Sequence, residues 1–70
     1  MKDYNVLRGY MTMANISQKE LAECINLSHV ALSKRLTGKI EFTKSDMLAI
    51  QNVLNSRLGM QLGIEELFFS

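Results

Sequence analysis

The sequence predicts an all-α chain of four to five short helices, and three observations lead there. It has no proline and 47% apolar residues, and good helix formers such as Leu, Met, Ala, Lys, Glu and Gln are common. Two stretches, Ser17-Gln18-Lys19-Glu20 and Thr43-Lys44-Ser45-Asp46, have the pattern of a capping box. Apolar residues recur at helical spacing, and Asn15, Asn26, Gly38 and Gly59 close the first four such runs.

Helix 1 is expected to start at a cap on Asp3 and to run to about Ala14. Leu7, Met11 and Ala14 share one side, with Tyr4 and Tyr10 flanking. Asn15 can take the left-handed backbone that ends it. Helix 2 begins at Ser17, buries Leu21, Ala22 and Ile25, and stops at Asn26. Only Asn26, Leu27 and Ser28 separate it from helix 3. Helices joined this tightly cross at roughly 90–120° rather than lying antiparallel. Leu27 is then expected to plug the angle, and Ser28 to cap helix 3, which Gly38 ends. Helix 4 follows Thr43, with Phe42 stapled onto Met47 or Leu48. It should point Met47, Ile50, Leu54 and Leu58 inward and break at Gly59. After Gly63, the spacing of Ile64, Leu67 and Phe68 suggests a last short helix or turn.

Helix 3 poses the functional question. At about 100° per residue, Ala31, Leu32, Arg35 and Leu36 fill one arc, and His29, Val30, Ser33, Lys34 and Thr37 fill the other. Arg35 falls on the core side and is expected to snorkel outward along its stem. The second arc holds donors, one apolar residue and a cation, and no carboxylate. It is either an idle surface or a reading head for a polyanion.

The bulk numbers narrow the choice. Seventy residues make one domain, 1–70, with a modest core. With one cysteine, Cys24, and one histidine, His29, neither a disulfide nor a zinc site assembles within the chain. No metal or other cofactor is expected. Good helix packing and self-association are the remaining routes to stability. No apolar run is long enough to span a membrane. The start carries Asp3 and polar residues where a signal peptide needs an unbroken apolar stretch. A lone thiol then suggests a reducing cytoplasm, that of a bacterial host cell. The net charge of +1 argues against a strong non-specific nucleic-acid binder. The charge is sorted, however. Residues 28–44 hold Lys34, Arg35, Lys39 and Lys44 against Glu41, giving +3, whereas residues 59–70 carry Glu65 and Glu66 and no base, giving −2.

The residues Ser17-Gln18-x-x-Leu21-Ala22-x-x-x-Asn26-Leu27-Ser28-x-x-x-Leu32-Ser33, followed by Gly38-Lys39, resemble the helix-turn-helix of the Cro/C1-type phage repressor family. The likeness covers about Asp3 to Phe68. A wider pattern, Tyr4-x-x-Leu7-Arg8-Gly9, then Leu32-Ser33-x-x-Leu36-x-Gly38-Lys39 and a terminal Phe68-Phe69, is similar to small Cro-like regulators of phages of Gram-positive bacteria. Two departures stand out. The turn usually has glycine where Asn26 stands. Many members carry a large apolar residue at Arg35 and a polar one at Leu36.

The resemblance implies a lambda-repressor-like DNA-binding domain with its helix-turn-helix at helices 2 and 3, and helix 3 in the major groove. There, His29 would donate to or accept from a base, Val30 would touch a thymine methyl, and Lys34 would donate to guanine. Ser33 and Thr37 would bond bases, a phosphate or water. Gln18 and Ser28 match family positions that face the phosphate backbone, and Lys39 and Lys44 would add salt-dependent contacts. No nucleophile–histidine–acid set, phosphate loop or paired acids are present, so an enzyme is not expected. The apolar tail has two readings: closure of the core, or a protein interface formed by Leu62, Phe68 and Phe69. Two functions follow. One is a Cro-like repressor binding its double-stranded operator as a homodimer and blocking polymerase at a phage promoter. The other is an interaction module that binds a partner phage repressor and alters its DNA occupancy.

Overall fold

The structure, a computed structural model, describes residues 4–69. Among them are five helices: α1 Asn5–Met13, α2 Gln18–Cys24, α3 His29–Leu36, α4 Lys44–Leu58 and α5 Ile64–Phe68. The path of the chain is set at the helix ends. Asn15, Asn26, Gly38 and Gly59 all have positive φ, at 55°, 63°, 82° and 63°. Each turns the chain back so that the next amide reaches a carbonyl inside the helix just ended. Ile16 N donates to Met11 O at 3.1 Å, Leu27 N to Ala22 O at 2.8 Å, Lys39 N to Lys34 O at 2.9 Å, and Met60 N to Asn55 O at 3.2 Å. This pattern satisfies carbonyls that a helix end leaves orphaned. The apolar residue after the turn then folds back onto the helix, and Ile16 is buried while Leu27 packs against the core.

The helix starts are equally explicit. Ser17 Oγ accepts from Glu20 N at 3.1 Å, and Glu20 Oε1 accepts from Ser17 N at 3.4 Å. Thr43 and Asp46 repeat the arrangement at both contacts, 3.1 Å each. Both expected capping boxes are therefore formed. The start of α1 differs. Its cap position is Tyr4, in the left-handed region at φ 52°, while the expected cap Asp3 lies outside the described residues. A left-handed tyrosine is strained. The ring holds it in place, packing edge-on against Phe42 at 5.1 Å and Phe68 at 6.2 Å between centroids.

The core collects Leu7 and Met11 from α1, Leu21 and Ala22 from α2, Leu32 and Leu36 from α3, Ile50 and Leu54 from α4, and Leu67 and Phe68 from α5. Ile16, Phe42 and Leu62 enter it from the connections. Ile25, expected buried, is only partly so. Phe42 is buried and Met47, partly buried, packs on the core, whereas Leu48 is 44% exposed, so of the two staple candidates Met47 is the one on the core side.

The tail corrects one expectation. Leu62 and Phe68, read as interface residues, are 4% and 3% exposed and belong to the monomer's own core. The reason for Leu62 is a clamp from α4. Asn55 Oδ1 accepts from Leu62 N at 2.8 Å, and Asn55 Nδ2 and Gln51 Nε2 donate to Leu62 O at 3.2 and 2.9 Å. With its backbone polar groups satisfied, the loop can lie on α4 and bury the leucine. Phe68 completes the ring cluster, 5.1 Å from Phe42. Of the three residues, only Phe69 stays outside, 58% exposed.

The left-handed turn at Asn26 generates a stability prediction. Asn26→Gly should stabilise the fold by a few tenths to about 1 kcal/mol, because glycine takes this backbone without strain. Asn26→Ala should destabilise it by about 1 kcal/mol or more, since alanine has neither that freedom nor a local hydrogen bond to offset the strain. Urea unfolding followed by circular dichroism distinguishes the two signs.

Candidate nucleic-acid interface

The corner between α2 and α3 is three residues long in effect: Asn26 reverses the backbone, Leu27 packs inward, and Ser28 starts the next helix. Ser28 Oγ accepts from Ala31 N at 3.0 Å. Its hydroxyl proton is left to point away from the helix, toward any acceptor outside. The corner holds because both of its orphaned ends have partners, one from the Asn26 turn and one from the Ser28 cap.

Leu32 and Leu36 are fully buried and fix which side of α3 faces the core. The opposite arc is left outside. His29, Val30, Lys34 and Thr37 are exposed, and Ser33 is part-buried. Val30, 64% exposed, is an apolar side chain standing alone among polar ones on this face. Thr37 is less available than its position suggests. Its hydroxyl donates to Ser33 O at 3.0 Å, with Lys34 O at 3.3 Å. In that rotamer it offers an outside group only lone pairs, so it can accept but not donate.

Arg35 corrects another expectation. It does not run outward to water. Its Nε donates to Asp46 Oδ2 at 2.9 Å, and its Nη1 donates to Ala31 O at 3.0 Å. Both side chains of the pair are largely covered, at 16% and 14% exposure. The charge of Arg35 is thus matched inside the protein, and the cations that this segment offers to the outside are Lys34, Lys39 and Lys44, all exposed. At the far end of α3, Arg8 Nη2 donates to Leu36 O at 3.2 Å. A cation on the last carbonyls of a helix is favourably placed against its dipole. Two arginines, one from α1 and one on α3 itself, therefore hold the roll of α3 against the rest of the domain.

These clamps were visible only in part beforehand. The Thr43 box places Asp46 in the first turn of α4, and a core-side arginine needs an acid, but nothing in the spacing says that residues 35 and 46 meet. Gln18, the other residue expected at a backbone contact, lies part-buried in the first turn of α2. Burial of the Asp46 carboxylate acts to raise its pKa. Hydrogen bonds from the Thr43 amide, the Arg35 guanidinium and the Thr43 hydroxyl, with the attraction of Arg35, outweigh this and hold the group below its ordinary value of 3.8.

Comparison with known families places this geometry. A helix-turn-helix family model matches residues 7–60, from within α1 to just past the end of α4. Neither the curated proteins nor the solved structures give a match.

The depressed pKa sets a pH signature. A carboxylate whose pKa is lowered by folding binds protons more tightly when unfolded, so stability rises with pH across the window between the two values. The contribution of Asp46 is full above 3.8 and lost as pH falls through the lower folded value. Asp46→Asn should therefore cost about 1–2 kcal/mol at neutral pH, and its difference from wild type should close in strong acid. Urea titrations of both proteins across the acid range measure it.

Proposed function

The chain belongs to the Cro/C1-type helix-turn-helix family of DNA-binding transcription regulators, and we propose that it is a sequence-specific regulator reading the major groove of double-stranded DNA with α3. The observation that carries this reading is the acid-free arc His29, Val30, Ser33, Lys34 and Thr37, kept outside by the burial of Leu32 and Leu36 on the reverse side. An α-helix with side chains is about 10–12 Å across, and the major groove is about 12 Å wide.

The roles follow from chemistry and position. His29 and Val30 are the first two residues of α3, the end that reaches deepest in this mode of docking. An exposed valine is a poor surface residue and a good contact for a thymine methyl. Lys34, one turn on, donates to guanine O6 or N7. Ser33 donates or accepts, and Thr37 accepts from an exocyclic amine such as that of cytosine or adenine. Ser28 gives its free hydroxyl proton to a phosphate, with Gln18 beside the same strand. Lys39 and Lys44 add backbone contacts that weaken as salt rises. The chain works as a homodimer, with two copies of α3 about 34 Å apart in successive major grooves. Its setting is a phage promoter inside a bacterial host, where occupancy excludes polymerase.

The test is selection from a randomised duplex library, followed by titration of the winning sequence at two salt concentrations. Lys34→Ala should relax preference at one base position by roughly 1–3 kcal/mol. Lys44→Ala should weaken every sequence alike and lower the salt slope by about 1. If Lys34→Ala changes neither affinity nor preference, the reading face assigned here to α3 is wrong. Binding that appears only when a second repressor is added favours the co-repressor function instead.

A further inference from the structure

Among the described helices, α3 leans on one neighbour. No Cα of α3 lies within 8 Å of a Cα of α4, and the helix whose backbone comes that close is α2. The segment that joins α3 to α4, residues 37–43, has no helix of its own, and Phe42 is its buried residue. Apolar contact is non-directional, so one buried ring leaves the angle between α3 and α4 open.

A polar bridge crosses the gap. The Arg35 guanidinium donates from Nη1 to Ala31 O on its own helix and from Nε to Asp46 Oδ2 in the first turn of α4, at 3.0 and 2.9 Å. The first bond ties the plane of the guanidinium to α3, and the second ties it to α4. Thr43 N donates to the same Oδ2 at 3.1 Å, and Thr43 Oγ accepts from Asp46 N at 3.1 Å, so the carboxylate is held from its own side and does not swing with the arginine. Both side chains are largely covered, and a hydrogen bond shielded from water is the stronger for it.

The bridge ends beside two residues of the proposed interface. Arg35 follows Lys34, proposed to read a base, and Asp46 shares the first turn of α4 with Lys44, proposed to hold the phosphate backbone. Backbone contacts set the register of a protein on the duplex, and base contacts specify. The orientation of α3 against α4 is therefore what turns register into readout. We infer that Arg35 and Asp46 are positioning residues for base discrimination. Without touching DNA, they fix α3 against α4 and so set Lys34 in a constant place relative to the anchor at Lys44. The inference rests on the reading role of α3 proposed above. Stability alone does not call for such a pair, since replacing a covered ion pair by apolar groups is often neutral or stabilising.

The whole chain carrying Arg35→Met and Asp46→Asn together tests it. Methionine keeps the apolar stem, asparagine still accepts from Thr43 N, and losing one cation and one anion leaves the net charge at +1. Removing both partners strands no covered charge, so helical circular dichroism should be unchanged. Without DNA, amide residual dipolar couplings of the wild type should fit α3 and α4 as one rigid body, and α3 of the variant should depart from that fit. With DNA, the ratio of affinities for the selected duplex and for one with a single base changed under α3 should fall roughly tenfold. Affinity for unrelated duplex and its salt slope should hold. A merely structural pair would lower the folded fraction and weaken every duplex alike, leaving the ratio unmoved. Arg35→Lys, which keeps the charge but lacks the planar fork that serves both acceptors, should lose preference in the same direction by about a few-fold. Couplings identical to those of the wild type, or a ratio that survives the double change, overturn the proposal and leave the reading role of α3 standing. A wild type with no base preference at all overturns that role itself, so the two failures are distinct.

Discussion

The rest of the molecule depends on a left-handed residue at Asn26. With φ at 63°, it lets Leu27 N reach Ala22 O and lets Leu27 fold back onto the core. The chain then leaves at an angle, and Ser28 caps the next helix at once. Were residue 26 right-handed, α2 would continue, and Leu32 and Leu36 could not meet the core from a second helix. Every later contact of α3 presupposes this reversal. Glycine takes such a backbone more cheaply. Asparagine tolerates the conformation through its short polar side chain, and the Leu27 amide bond and the packing of Leu27 against the core supply the offsetting gain.

A corner alone leaves α3 free to roll. Its two buried leucines define a side, but the hydrophobic effect is non-directional and sets that side only to within a broad arc. Directional bonds narrow it. Arg35 reaches Asp46 at the start of α4, and Arg8 reaches the last carbonyl of α3 from α1. Asp46 serves twice, since the same Oδ2 that accepts from Arg35 also accepts from Thr43 N in the capping box. The start of α4 and the roll of α3 thus share one atom. This coupling matters for a proposed reading face, because a helix that reads bases must present each side chain to within a small angle. It also resolves the odd order of residues 35 and 36. Leu36 packs in the core while Arg35, beside it on the same side, acts as a strut to Asp46.

The tail shows how a small chain uses apolar residues that look surplus. Tyr4, Phe42 and Phe68 come from the start, the middle and the end of the sequence and meet as three edge-on rings. They close the core where α1, the α3–α4 connection and α5 converge. Asn55 and Gln51 bring Leu62 into the same core by satisfying its backbone. What remains outside is distributed over a few places: Val30 on the proposed reading face, Val6, Met13 and Met60 around α1, and Ile40, Leu48 and Phe69 elsewhere.

Local chemistry made much of this legible in the sequence. Capping boxes at Ser17 and Thr43, asparagine and glycine at the helix ends, and the Ser28 cap all act over three or four residues, so their spacing is sufficient to read them. The two arcs of α3 were legible for the same reason, since helical periodicity assigns every residue a side once Leu32 and Leu36 are buried. Other features were decided only when the chain closed on itself. Arg35 found Asp46 eleven positions away, Leu62 found Asn55, Phe68 found Tyr4 and Phe42, and the hydroxyl of Thr37 turned back to its own helix. Spacing cannot announce such pairings, because each depends on where two separately formed helices come to rest. Periodicity says which residues face inward; only packing says which of them meet.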